Sequence, residues 1–290
     1  MTLPVLAADA GPVTRHADGQ ARVRWLRNRN LTAGLILLAV IAGLCACAPL
    51  FAAHNPDQQD LLHVLAGPSA AHPLGTDDLG RDIWARLLYA GRIDLLIGFT
   101  AVIAPFILGS ALGLMAGYRG GWADAIIMRV LDIVVAFPFY VLVIAVVFAL
   151  GAGITSIFIA ITAVGWVSYT RIVRGEVLVA KRLGYIQAAR AAGLSTSRIL
   201  VRHLTPNVLS QAVVYAMSDI VLTILAVVTL GYLSLGVQPP TPEWGAMMQA
   251  GEQYLSIHPM LATAPGIAVV LTGLALSLIG DGLSAELGAA

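Results

Sequence analysis

Few side chains in this sequence are able to do chemistry, and their spacing limits what they can do. Two carboxylates, Asp132 and Asp219, lie nearest to membrane depth, Asp132 close to the cytoplasmic boundary. An acid at membrane depth is costly unless it pairs, or handles an ion or proton. Asp132 stands one helical turn from Arg129, its expected partner; Asp219 lies deeper and is expected to face a translocation path or a neighbouring helix. The six histidines (His16, His54, His63, His72, His203 and His258) fall in different loops, and no set of His, Cys, Asp and Glu has the spacing of a metal site. Cys45 and Cys47 stand two apart, point to different sides of a helix and read as small core residues without a disulfide. The sole lysine, Lys181, lies between Ala180 and Arg182, so no Gly-Lys-Ser/Thr phosphate loop can be built, and no Gly-x-Ser-x-Gly elbow appears. Catalytic residues, a bound cofactor and a metal are all expected to be absent. Uphill movement of a solute would then draw its energy from an ion gradient or from a partner.

The elements that must position these groups are apolar. Hydrophobic residues make up 58% of the chain, charged residues 11%, and mean hydropathy is +0.84, against roughly a quarter charged in soluble domains. The net charge of +1 gives no support to a nucleic-acid partner; the expected solvent is a lipid bilayer. A membrane span needs about 20 apolar residues. Such runs give six expected helices at 31–53, 95–118, 126–151, 154–172, 208–235 and 259–281, with Gly151-Ala152-Gly153 as a tight turn between the third and fourth. The expected organisation is an N-terminal tail 1–30, a first helix 31–53, an external segment 54–93, a five-helix core 94–283 with a cytoplasmic loop 173–207, and a tail 284–290.

Fourteen of the seventeen basic residues fall before the first helix, at the 2–3 turn or in the 4–5 loop; only Arg81, Arg86 and Arg92 fall on the other side. The positive-inside rule places the richer side, and with it both termini, in the cytoplasm. Leu44-Cys45-Ala46-Cys47 faintly resembles a lipoprotein signal, but the apolar run is too long and five more spans follow.

The 4–5 loop carries a helical pattern. Tyr185 to Ala192 has high helix propensity, Gly193 suits the position after a helix end, and Ser195 suits the cap of a second short helix that Pro206-Asn207 is expected to stop. A compact elbow with an alanine-rich face is suited to sit in a groove on another protein. Gln187-Ala188-Ala189, three residues, Gly193, then His203-Leu204-Thr205-Pro206 resembles the EAA loop of bacterial ABC importer permeases. The chain departs from that pattern with Gln187 for the leading Glu and with His203 and Thr205 for Ile and Leu. His72-Pro73-Leu74-Gly75-Thr76-Asp77-Asp78-Leu79-Gly80-Arg81-Asp82, then Gly236 to Gly245, then Gly280-Asp281-Gly282-Leu283 are similar to segments of the second permease of dipeptide, oligopeptide and nickel importers. The likeness runs in order from about Arg24 to Leu283, and the tail after it departs from the family's charged continuation.

The resemblance implies an all-α polytopic membrane protein of six transmembrane helices with the type I ABC importer permease fold, in the bacterial inner membrane. It implies alternating access by this chain and a homologous permease, an external binding protein that delivers solute, and two ATPase subunits that hold MgATP. On that reading Tyr185, Gln187, Ala188, Ala189, Arg190 and Gly193 couple to the ATPases, Asp77, Arg81, Asp82 and Trp244 serve an external gate or the docking of the binding protein, and Asp219 faces the path. Each has a plainer reading: the arginines as topology determinants, Pro239-Pro240-Thr241-Pro242 as a rigid brace, Trp244 as an interfacial anchor, and Gly109, Gly113 and Gly117 as a close-packing face. A proton-driven transporter working through Asp219 is the alternative of another class, although it lacks a visible internal repeat. A structural scaffold would leave the external motif unexplained. Dipeptide, oligopeptide, glutathione-like tripeptide and chelated nickel all remain open as solutes.

Overall fold

A computed structural model describes residues 28–287, so the tail 1–27 and residues 288–290 lie outside the described residues. The described chain is helical: α1 (Arg29–Ala46), α2 (Ala48–Phe51), α3 (Ile83–Ala101), α4 (Ile103–Arg119), α5 (Gly121–Val135), α6 (Phe139–Leu150), α7 (Ile154–Ala180), α8 (Gly184–Ala191), α9 (Thr205–Tyr232), α10 (Trp244–Gly251) and α11 (Met260–Leu287). Five stretches are long and apolar enough to cross a membrane: α1, α3 with α4, α7, the helix from Thr196 through α9, and α11. The pair α5 and α6, bent by 87°, makes a sixth when the two are counted as one span. Its bend falls at Pro138, whose ring cannot continue a helix from α5. Large apolar side chains such as Ile36, Ile107, Phe148 and Val270 stay exposed, as lipid-facing positions require.

The spans differ from their expected limits where charged residues join helices. Residues 83–93, expected in the external segment, form the start of α3, because Arg86 is buried and paired where a loop arginine would be solvated. Helix α7 runs on to Ala180, carrying Arg171 and Arg174 to meet Asp132 at 3.8 Å and Asp124 at 2.6 Å. Asp132 therefore pairs with α7 instead of with Arg129. Pro206 does not stop a helix. Thr196–Arg198 leads through a π-helical turn, Ile199–Leu204, straight into α9, and Pro206 sits in the first turn of α9, where its missing N–H costs least.

The most closely packed helix pair is α4 with α7. A Cβ at Gly113 would come within 2.8 Å of the Thr170 carbonyl oxygen, and one at Gly117 within 2.8 Å of Val177 Cβ. The row at 109, 113 and 117 thus lets the two backbones touch, as its spacing predicts. One end of the bundle carries residues 181–204 together with Asn28 and Gly282, which are hydrogen bonded at 3.0 Å; this is the loop end. The far end carries 52–82 and 233–259.

Candidate functional site

At the loop end, α8 follows α7 after a short turn at 181–183. Its C-terminus is closed by the Gly193 N–H donating to the Arg190 carbonyl (2.9 Å) and the Leu194 N–H to that of Ala189 (3.2 Å), with Gly193 at φ +74°, a conformation that glycine adopts without strain. Ile186 and Ala189, one turn apart, face inward and are buried, joined in the core by Ile199 and Leu204. Tyr185, Gln187, Ala188 and Arg190 are exposed, as are Ala191, Ala192 and Val201. Three side chains tie the loop to the bundle. Arg190 lies 4.9 Å over the Tyr118 ring, the Lys181 ammonium donates to the Gly117 carbonyl (2.8 Å), and the Asn207 amide donates to the Tyr185 hydroxyl (3.2 Å). The result is a short capped helix whose outer face sets the methyl groups of Ala188, Ala191 and Ala192 among Tyr185, Gln187 and Arg190. Of the expected coupling residues, Ala189 faces inward and serves to hold the other positions in place.

The far end is organised differently. Asp77 is buried; one oxygen accepts from the Leu79 and Arg81 N–H groups (2.9 Å each), and the other meets Arg81 Nε at 2.6 Å. Arg86 adds a contact to Asp77 (3.7 Å) and donates to Asp57 (3.2 Å) and the Pro56 carbonyl (3.0 Å). Asp82 is also buried, and its carboxylate accepts from the Ala85 N–H (3.1 Å) to cap α3. Asp77 and Arg81, with Gln238 and Gln249, line a cavity of about 410 Å³ between the two far-end segments. Trp244 is only 1% exposed, and its indole donates to the Leu87 carbonyl (3.1 Å). Neither Asp82 nor Trp244 is therefore free to meet a docking protein. Trp244 is no interfacial anchor: its ring packs against Gly91 of α3.

Two carboxylates that the sequence reading passed over complete this end. Glu243 caps α10, accepting from the Gly245 and Ala246 N–H groups (2.7 and 2.8 Å), and Asp94 of α3 accepts from the Trp244 N–H (2.9 Å). Both are fully buried and within hydrogen-bonding reach of each other, while Asp94 Oδ1 meets no donor among the described residues. A proton held between the two would supply the missing bond. Burial pushes the Glu243 carboxyl up, against the pull of the two backbone N–H groups and of Asp94. The available signal was the Pro-Glu-Trp-Gly order, an acid just before a helix; Asp94 was masked by standing beside the uncharged run that begins at Leu95.

Mid-bundle, the Tyr169 hydroxyl donates to Asp219 (2.8 Å), and Tyr215 and Phe106 stand edge-on to the Tyr169 ring. Asp219 thus has an interhelical partner. The histidines are less scattered than their sequence positions suggest. His54 and His72 stack at 4.6 Å beside Asp82 because the segment after α2 folds back on the turn before α3.

Apolar spans around a close-packed core, with a short capped helix at the loop end, define a polytopic membrane protein. Residues 109–287 match the family of binding-protein-dependent transport system inner membrane components, and residues 19–68 match the N-terminal TM domain of oligopeptide transport permease C. The glutathione transport system permease protein GsiD of Pectobacterium atrosepticum is 41% identical, over 90% of this chain and 87% of its own. The dipeptide transport system permease protein DppC of Alkalihalophilus pseudofirmus is 38% identical, over 89% and 84%. The di/tripeptide transport system permease protein DppC of Pseudomonas aeruginosa is 37% identical, over 88% and 86%. A solved structure of the MetNI methionine ABC transporter in an inward facing conformation shares the fold, with a TM-score of 0.56 at 19% identity over 69% of this chain and 96% of that one. The chain belongs to the binding-protein-dependent transport system inner membrane components, in the branch of peptide and glutathione ABC importer permeases.

Proposed function

We propose that this permease forms, with a homologous second permease, the pathway of an ATP-driven importer for dipeptides and short oligopeptides, glutathione-like tripeptides included. The 4–5 loop and both termini face the cytoplasm, as the bias of basic residues supports. Two ATPase subunits hold MgATP and do the hydrolysis; a binding protein delivers peptide to the far end. The observation that carries the reading is α8. A helix of eight residues, capped at Gly193, fixed inward by Ile186 and Ala189 and outward-facing through Tyr185, Gln187 and Ala188, has the form of a lever that another protein grips. Alanine methyls let a partner backbone approach closely. Asp77 and Arg81 beside the far-end cavity are the residues we assign to the external gate. Asp82 and Trp244, both buried, hold that gate's frame, and Asp219 braces the path through Tyr169.

The test is reconstitution. The permease is co-expressed with its chromosomal neighbours and purified, and MgATP hydrolysis is measured with and without binding protein and dipeptide. Co-purifying ATPases whose turnover rises with loaded binding protein are the expected result. A permease that emerges alone, yet moves peptide down a proton gradient in vesicles, would overturn the proposal.

A further inference from the structure

At the far end, His54, His72 and Asp82 come together from three separate turns. His54 follows the end of α2, which is held by the Trp84 indole donating to the Phe51 carbonyl (3.1 Å). His72 closes a small turn in which its N–H donates to the Ser69 hydroxyl (3.1 Å) and its carbonyl accepts from the Ser69 and Gly75 N–H groups (2.9 Å each). Asp82 lies on a one-bridge ladder with Thr76 and caps α3. The backbone of each residue is thus fixed before its side chain meets the others.

Hydrogen bonding alone does not satisfy these side chains. His72 Nδ1 is 3.4 Å from Asp82 Oδ1, a long contact, and His54 Nδ1 is 4.0 Å from Asp82 Oδ2, beyond hydrogen-bonding reach. His54 Nδ1 is nevertheless buried and has no partner among the described residues. A buried ring nitrogen left without a partner costs about 1–3 kcal/mol. The two imidazoles stack with an interplanar angle of 28°, and both turn a nitrogen toward the same carboxylate. One ligand atom from each of the three residues lies within 4.8 Å of the other two. Ligands of a tetrahedral zinc ion stand about 3.4 Å apart, from bond lengths of about 2.0–2.2 Å. A small inward movement of the histidine side chains, which are 33% and 16% exposed, brings the set to that spacing.

From this geometry we infer that His54, His72 and Asp82 form a binding site for one divalent transition-metal ion of the zinc class. Two imidazoles and one carboxylate suit a borderline ion, where calcium or magnesium would ask for oxygen ligands throughout. The ion would take up the free nitrogen of His54, and the Ala85 N–H would hold the carboxylate from behind as an outer-shell donor. A fourth position stays open to water, because both histidines reach the surface. Bound there, the ion would clip the segment after the first membrane span to the start of the second. This site is independent of the transport reading, since it needs neither partner chains nor a solute.

The experiment uses the purified full chain in detergent, carrying an affinity tag without histidines, titrated with Zn²⁺ against a chromophoric chelator. One zinc equivalent per chain is expected. His54→Ala, His72→Ala and Asp82→Asn should each weaken binding at least about 10-fold, while His63→Ala and His258→Ala leave it unchanged. Asn at 82 still caps α3, so a loss of binding there reports the ligand and not the fold. Co²⁺ should give visible bands of a low-coordinate site in the parent chain that are absent from the three variants. Zinc binding that is weak and many-fold, or titrations of the His54 and His72 variants that overlay the parent, would sink the assignment.

Discussion

The two ends of the bundle use polar and small residues in opposite ways. At the far end, Asp77, Asp82, Arg86, Asp94 and Glu243 are all buried, and each meets a backbone group or another charge of the same chain. At the loop end the projecting helix buries only Ile186 and Ala189 and leaves Tyr185, Gln187, Ala188 and Arg190 outside. The first arrangement satisfies itself and so resists rearrangement; the second leaves a surface that none of the described residues covers. On the proposed reading, a permease worked by ATPases needs both, a grip at one end and a frame at the other that transmits the motion without melting.

The largest expected effect lies in the frame. A Cβ at Gly245 would collide with the Val228 carbonyl oxygen, so Gly245→Val forces α10 away from α9 and takes the Trp244 N–H from Asp94. Overpacking costs about 1–3 kcal/mol and a stranded buried carboxylate adds about as much again. Thermal unfolding of the purified chain should show a clear drop in midpoint; an unchanged midpoint would mean that the far end is not a self-satisfied frame. Next comes the grip. Ala188→Arg falls on an exposed position and should change stability by no more than about 0.5 kcal/mol, yet it should abolish co-purification of the ATPases and peptide-stimulated hydrolysis. Retained stimulation would detach this helix from coupling. Ala189→Arg is a poor substitute, because Ala189 is buried and its replacement would test folding instead.

This contrast was unevenly legible in the sequence. The spans, the Gly193 cap and the glycine row came through because composition and helical period act locally. Helix limits at 83 and 180 did not, since Arg86, Arg171 and Arg174 read as loop residues until their partners were known; the start at Thr196 after Ser195 was legible, but its continuation past Pro206 was not. Asp94 with Glu243, and His54 with His72, are pairs made by packing across about 149 and 18 residues of chain, a distance at which local pattern carries no information. The resemblance assigns Asp82 and Trp244 to a gate or to docking, and their burial, which local pattern does not reveal, takes both side chains off the surface.

A smaller effect sharpens how the grip is fastened. Arg190 over Tyr118 is the cation–π contact that joins α8 to the end of α4, worth about 0.5–1 kcal/mol at an exposed site. Arg190→Gln should speed hydrogen exchange of the α8 amides by about 2- to 5-fold while leaving those of α10 unchanged. Equal speeding at both ends would show that the ends are not separate units.

The smallest expected effect falls between the ends and separates the two energy sources. Asp219 accepts from the Tyr169 hydroxyl, and the side-chain oxygen of an asparagine can accept the same bond. Asp219→Asn should therefore shift stability by less than about 1 kcal/mol, and peptide uptake driven by ATP in reconstituted vesicles should persist, unaffected by a protonophore. Asp219→Leu offers no acceptor, strands a buried hydroxyl and should cost about 1–3 kcal/mol. A proton carrier would behave the other way round. Uptake would collapse in the asparagine variant although its fold is intact, because the carboxyl that binds and releases the proton is gone while the brace to Tyr169 remains.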